Sequence, residues 1–170
     1  GSFRREACRV GCPTIVIEAG EAWKVEPSVL KIGVNGIKNV LSELGMIVHS
    51  RQAPPYQAMI RKTKWIRAEM GGIRNCHVAP GDCIKEGQAI ASNYSLMGKQ
   101  QNVVYSSEEG IILGLVTLPM VKLGEPICHI AYPNANIRNL RKKMLKGLDT
   151  GNHSEIKQDL ATNVHVIKEQ

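Results

Sequence analysis

The chain has little of what several function classes need. Its aromatic residues are two Trp, four Tyr and one Phe among 170 residues, too few for the stacking platforms that bind single-stranded nucleic acid. No apolar run approaches the roughly 20 residues of a membrane span, and no basic-then-apolar leader opens the chain. We therefore expect a cytoplasmic protein with neither a membrane nor a nucleic-acid partner.

Sulfur and imidazole ligands do not occur at the spacings of common metal or redox sites. Five cysteines occur without a CxxC pair, which predicts reduced thiols in a cytosol. Five histidines occur without an HxxE or HExxH arrangement, so a closed metal site cannot be assembled from them. Cys8 and Cys12 have no neighbouring His to activate them as nucleophiles. The sequence therefore predicts no metal ligand in this chain.

Positive charge is in excess, with a net charge of +7. Its densest run is RNLRKK at residues 138–143, which we interpret as a solvated helix face; a phosphate-binding tail is the alternative. We expect residues 134–170 to form a charged helical or disordered tail. The opening Gly-Ser looks like an expression scar, so we also expect a piece of a longer chain.

The first segment has the pattern of a strand, a turn and a helix. Residues 13–17 (PTIVI) form a β-branched run without polar alternation, typical of a strand covered on both faces. From Pro27, apolar residues recur at helical spacing, and Gly45 follows as the expected stop. The fold class predicted here is α/β, with residues 1–45 as the terminal strand and helix of an α/β domain.

A boundary follows, because residues 46–57 lack a pattern and contain Ala-Pro-Pro. Beyond it, short strand-like runs punctuated by Gly and Pro predict an all-β domain over residues 58–133. These runs are 58–68, 84–91, 102–105, 110–116 and 126–131.

The β-domain contains a weak internal repeat. Residues 84–90 (IKEGQAI) align with 121–127 (VKLGEPI), each predicting a turn followed by a strand. A glycine-led strand precedes each copy, at Gly71-Gly72 and at Gly110. We therefore predict two similar halves packed face to face around a pseudo-twofold axis, as a sandwich-like barrel.

Glu18 is the sharpest candidate for chemistry. It comes directly after the predicted buried strand, at the carboxyl edge where α/β sheets bind ligands. A carboxylate there could act as a general base. The alternative is structural: Glu18 or Glu21 caps the following helix, or pairs with Lys24 or Arg9.

Lys99 is a second candidate. Domains that carry biotin or lipoate are also built from two pseudo-symmetric halves, with the modified lysine on the joining hairpin, where Lys99 is predicted to lie. Its context, LMGKQ at residues 96–100, departs from the usual setting of both groups, which favours an exposed loop residue over a modified one. The alternative function is a non-enzymatic biotinyl/lipoyl-like module, either carrying a group on Lys99 or acting as a docking domain.

The succession of segments resembles the C-terminal half of the succinylglutamate desuccinylase/aspartoacylase family, relatives of the zinc carboxypeptidases. The segments that carry the likeness are 11–20 (GCPTIVIEAG), 39–45 (NVLSELG), 65–72 (WIRAEMGG), 80–91 (PGDCIKEGQAIA) and 123–127 (LGEPI). The resemblance implies a zinc-carboxypeptidase-like α/β domain followed by a biotinyl/lipoyl-like β-barrel. It also implies a zinc ion held by an HxxE pair and a distant His, all upstream of this chain.

The resemblance assigns the general acid/base role to Glu18 and implies a small N-acyl amino acid or similar amide as substrate. Substrate-binding residues remain unknown, with Arg9 and Arg74 candidates by charge alone. We expect the C-terminal part of a zinc-dependent deacylase, inactive by itself. It would form a homo-oligomer or associate with its missing N-terminal half.

Overall fold

The computed structural model describes residues 1–53 and 58–133, together with residues 137, 139, 140, 142 and 143, which are helical. Most of the predicted tail 134–170 and residues 54–57 of the predicted linker lie outside this described part. The chain divides into two compact units, Gly1–Gln52 and Ala53–Gln170.

The first unit contains helices α1 (Phe3–Arg9) and α2 (Pro27–Glu43). Helix α2 begins at Pro27, whose fixed φ suits the first turn of a helix. It ends where Gly45 adopts a φ of +69°. There Gly45 N donates to Ser42 O at 3.0 Å and Met46 N to Leu41 O at 2.9 Å, the paired bonds of a Schellman motif. The predicted helix and its glycine stop are confirmed.

The predicted strand over residues 13–17 was wrong for the described chain. These residues are not assigned to any strand. Ile15, Val16 and Ile17 are 79%, 50% and 58% exposed. A strand needs a neighbour to receive its backbone hydrogen bonds, and both sheets of the described chain are formed by residues 60–133. The β-branched run therefore lacks a partner that would make it a strand.

The second unit contains eight strands in two four-stranded sheets, ordered β1-β8-β6-β3 and β5-β4-β2-β7, with antiparallel pairs throughout. The strands are β1 (Ile60–Arg67), β2 (Gly72–Cys76), β3 (Cys83–Ile84), β4 (Ala89–Tyr94), β5 (Gln100–Tyr105), β6 (Gly110–Leu115), β7 (Met120–Val121) and β8 (Pro126–Pro133).

The two sheets confirm the internal repeat. Exchanging β1–β4 for β5–β8 converts one strand order into the other. The aligned turns also match in detail: Lys85 N donates to Gln88 Oε1 at 3.0 Å, and Lys122 N to Glu125 Oε2 at 2.8 Å. A glycine with positive φ, Gly87, lies in the first turn, and Gly124 is its equivalent. The second unit therefore consists of a first half, β1–β4, and a similar second half, β5–β8.

One hydrophobic core serves both sheets. Ile84, Ile112 and Ile130 from one sheet and Ile90 from the other are at most 2% exposed within a single buried cluster. The sheets do not join into a closed barrel within residues 58–133, so the predicted barrel closure is not seen. Burial of alternate side chains between two sheets accounts for the unit without closure.

Candidate functional site

Glu18 lies on the exposed segment between α1 and α2. Its carboxylate makes no hydrogen bond or ion pair with another described residue. Two residues later, Gly20 has a φ of +82°, and a Cβ there would lie 3.0 Å from Glu26 Oε2 and 3.6 Å from Val29 Cγ1. The positive φ favours glycine at this position, whereas the Glu26 carboxylate is the far end of a flexible side chain that could shift. This contact places the segment that carries Glu18 against the first turn of α2.

The structural role that the sequence left open for Glu18 is not seen in the described residues. Lys24 Nζ lies 2.6 Å from Glu21 Oε2 and Arg9 Nε lies 2.8 Å from Glu6 Oε2. The N-cap of α2 is Glu26, whose side chain makes no capping bond. Glu18 therefore remains an unpaired, accessible carboxylate.

Helix α2 uses its polar face within its own unit. Asn39 Nδ2 donates to Gln52 O at 2.8 Å, and Gln52 N donates back to Asn39 Oδ1 at 3.1 Å. Ser42 Oγ donates to His49 O at 3.2 Å. Sequence reasoning missed Asn39. Its only signal is that it lies one helical turn after Asn35 on the same polar face. Asn35 Nδ2 also donates to Gln52 Oε1, at 2.8 Å.

The apolar face of α2 is largely exposed in the described chain. Leu30, Ile37 and Leu44 are 57–67% exposed and Val34 is 40% exposed, while Leu41 is half-buried. Helices in folded proteins normally bury such a stripe against another layer. The first unit therefore exposes Glu18 directly after the uncovered apolar run at residues 13–17, and it exposes the apolar face of α2 as a second surface.

Arg74, a candidate for a substrate carboxylate by charge, has a different role. It is 8% exposed, and its guanidinium donates to the carbonyl oxygens of Ile127 at 3.0 Å, Leu118 at 3.0 Å and Val116. It lies in the second unit, whereas Glu18 lies in the first. Arg74 therefore holds backbone segments of the second unit together.

No group of three or more His, Cys, Asp or Glu side chains in the described residues could hold a metal ion. The zinc ligands that the resemblance implies would therefore come from residues outside the described part of the chain. Burial also raises the pKa of the Cys76 thiol, and that of Cys128 to about 12, which keeps both thiols protonated and weakens them as ligands.

The second unit contains a serine–histidine pair that sequence reasoning missed. His77 Nε2 and Ser92 Oγ are 2.6 Å apart, the spacing of a nucleophile and its base. Ser92, however, is only 5% exposed. The sequence signal of the pair is weak, because His77, directly after β2, and Ser92, on β4, are fifteen positions apart. The bond satisfies the buried Ser92 hydroxyl with a half-buried His77, so the pair is not an accessible nucleophile.

Lys99 is exposed in the hairpin between β4 and β5, where the first half joins the second. Ser95 N donates to Lys99 O at 2.8 Å, and Lys99 N to Ser95 Oγ at 3.2 Å. Leu96 and Met97 at the tip are 75% and 93% exposed. The hairpin thus presents a lysine beside two apolar side chains.

The helices of the described residues include none with the length and apolarity needed to cross a bilayer.

The chain matches no family model and no curated protein. It is similar in structure to a succinylglutamate desuccinylase/aspartoacylase family protein from Shewanella amazonensis, with a TM-score of 0.57, 16% identity, and coverage of 77% of this chain and 40% of that one. A succinylglutamate desuccinylase/aspartoacylase from Rhodobacter sphaeroides has a TM-score of 0.56 and 17% identity, over 66% of this chain and 38% of that one. The ectoine utilization protein EutE (DoeB) from Ruegeria pomeroyi has a TM-score of 0.52 and 14% identity, over 64% of this chain and 35% of that one.

This chain therefore spans less than half the length of each of those three structures. At these identities the likeness concerns the fold. The resemblance identified in the sequence is confirmed at that level: the fold is similar to that of a portion of succinylglutamate desuccinylase/aspartoacylase family structures.

Proposed function

We propose that this chain is part of a deacylase of the desuccinylase/aspartoacylase type. The reaction is hydrolysis of the amide bond of an N-acyl amino acid or a similar small amide, with Glu18 as general acid/base. The observation that carries the proposal is the accessible, unpaired Glu18 carboxylate, which directly follows the exposed apolar run at residues 13–17 and precedes by two residues the approach of Gly20 to α2. The fold likeness to a portion of such proteins supports it.

Glu18 would take a proton from the attacking water and deliver it to the leaving amine. A general acid/base contributes roughly 10²–10⁴-fold to a rate, which falls short of the total acceleration of a typical enzyme. The zinc that the resemblance implies would be held by residues outside this chain, where it would polarise the amide carbonyl. This chain alone should therefore be inactive.

The uncovered surfaces of the first unit also suggest how the site becomes complete. A strand pairing with residues 13–17 and a layer covering Leu30 and Ile37 would bury what is now exposed. We propose that the rest of the α/β domain supplies both. Association with that part, or a homo-oligomer, would then fix Glu18 at the edge of a sheet.

Glu18→Gln in the protein that carries this chain tests the proposal. The substitution keeps size and hydrogen bonding but removes the group that moves the proton, so kcat should fall by about 10²–10⁴-fold with metal content unchanged. Glu21→Gln is the matched control, because Glu21 is paired with Lys24, and it should retain wild-type turnover. Wild-type turnover in Glu18→Gln would refute the proposal.

The Lys99 hairpin favours one second candidate, a biotinyl/lipoyl-like carrier or docking module. Its support is the exposed position of Lys99 at the junction of two similar halves. Intact-mass measurement after expression with a biotin or lipoate ligase separates the candidates. A mass increase lost in Lys99→Arg supports a carrier, and an unchanged mass rejects it.

A further inference from the structure

Strand β1 concentrates positive charge at one place in the second unit. Its eight residues, IRKTKWIR, include Arg61, Lys62, Lys64 and Arg67 and no acidic residue. All four basic side chains are exposed. A strand this basic presents a positive field to whatever approaches it.

Strand β1 is also at the edge of its sheet. It pairs only with β8 in the order β1-β8-β6-β3, so within the described chain its other side carries backbone donors and acceptors without a strand neighbour. Exposed edges of this kind accept an added strand from another polypeptide.

The pseudo-symmetry provides an internal comparison. Strand β5 occupies the equivalent edge of the other sheet, and its residues, QQNVVY, include no charged side chain. An edge in this fold therefore does not require basic residues. The charge on β1 needs its own explanation.

Part of that charge is already used within the chain. Lys62 Nζ lies 3.2 Å from Glu108 Oε2 and 4.9 Å from the centre of the Tyr132 ring. Arg67 Nη1 donates to Gly124 O at 2.8 Å. Lys64 makes no hydrogen bond or ion pair with another described residue, so its charge remains available.

An aromatic pair lies beside this edge. The Trp65 ring on β1 stacks on the His129 ring of β8, with centroids 4.4 Å apart and planes 5° apart. Trp65 remains 44% exposed. It offers a rigid apolar contact to a side chain on a neighbouring strand.

We propose that the free edge of β1 is a docking site for an acidic, extended segment of a protein, which adds to the sheet as a further strand. Backbone hydrogen bonds would hold the segment, and carboxylates opposite Arg61 and Lys64 would select it. A second copy of β1 would put basic side chains against basic side chains, so self-pairing is disfavoured. The proposal does not depend on deacylase activity.

Binding of synthetic peptides to the full chain tests it. The probe is a fluorescently labelled eight-residue peptide of alternating Glu and Val, followed by anisotropy at low salt. A second peptide has the same sequence with alternate backbone amides N-methylated, which keeps charge and removes the donors needed for pairing. The variants are Lys64→Glu and the matched control Lys85→Glu, an exposed lysine in the β3–β4 turn.

The proposal expects the first peptide to bind, the N-methylated peptide to bind at least about tenfold more weakly, and Lys64→Glu to weaken binding about tenfold while Lys85→Glu does not. Three outcomes overturn it. They are no binding of the first peptide, equal binding of both peptides, and equal effects of the two substitutions. Preferential binding of a single-stranded oligonucleotide through Lys64 would also overturn it, in favour of a nucleic-acid surface.

Discussion

Arg74 and Asn93 give the first half of the second unit a polar interior. Asn93 Oδ1 lies against Gly72, while in the second half Ile130 lies against Gly110. Arg74 follows Gly72 by two residues, and the residue at the equivalent position of the second half, two after Gly110, is Ile112. Both polar residues are at most 8% exposed. The buried guanidinium is stabilised by carbonyl dipoles, since no carboxylate pairs with it in the described chain.

Arg74→Met should destabilise the second unit by about 3 kcal/mol, because the carbonyls of Val116, Leu118 and Ile127 lose a charged donor inside the protein. Arg67→Met is the matched control, since its exposed guanidinium bonds one carbonyl, and it should cost less than about 1 kcal/mol. Urea denaturation of the full chain measures both. Equal costs would contradict the assigned role of Arg74.

The residues that sequence reasoning did not place share one property: their partners are remote in the chain. Arg74 binds residues more than 40 positions away, and its charge alone suggested a ligand. Glu18 could be singled out because its signal is local, a carboxylate that directly follows a β-branched run. Its general acid/base role stays a prediction.

At the scale of elements, α2 and residues 13–17 differ in what they need. A helix satisfies its own backbone, so periodicity, Pro27 and Gly45 were enough to predict α2 within about one residue. A strand takes its hydrogen bonds from a neighbour, so the run at residues 13–17 predicts a strand only where a sheet is present. In the second unit every strand has a partner strand within residues 60–133, so the strand-like runs there form sheets.

Two glycines of the α2 region should respond oppositely to the same substitution. Gly36 is inside the helix and has nothing within 4 Å of a Cβ placed on it, so Gly36→Ala should stabilise α2 by about 1 kcal/mol. Gly45 has a φ of +69° with equally open space, so Gly45→Ala should destabilise it by about 1 kcal/mol. Thermal unfolding followed by circular dichroism measures both, and equal shifts would contradict the assignment.

At the scale of the whole molecule, the buried thiols couple stability to pH. Burial raises the pKa of Cys128 to about 12 and that of Cys76 above its usual 9.0; the nearby Arg74 charge lowers both. Above pH 9 the unfolded chain therefore releases thiol protons that the folded chain keeps. Unfolding is then favoured as the pH rises, and stability falls between about pH 9 and 12.

Each such thiol should contribute up to about 1.4 kcal/mol of lost stability per pH unit in that window. Cys128→Ala should make the decline between pH 9 and 10.5 shallower, whatever it does to stability at pH 7. Cys8→Ala removes an exposed thiol and should leave the decline unchanged. Urea unfolding across this range measures the slope. An unaltered slope in Cys128→Ala would show that the thiol ionises equally in both states.

The pairing of β1 with β8 allows the strands of the second unit to be connected in a different order along the chain. Ile60 and Pro133 are partners in that ladder, so the first and last strand residues of the eight-stranded body are neighbours. A linker of a few residues would join Pro133 to Ile60, and the new chain termini could be placed in the exposed hairpin that carries Lys99. Circular permutation there would preserve every strand contact and begin the polypeptide at β5. In such a protein the neutral edge would come first and the basic edge would lie mid-chain.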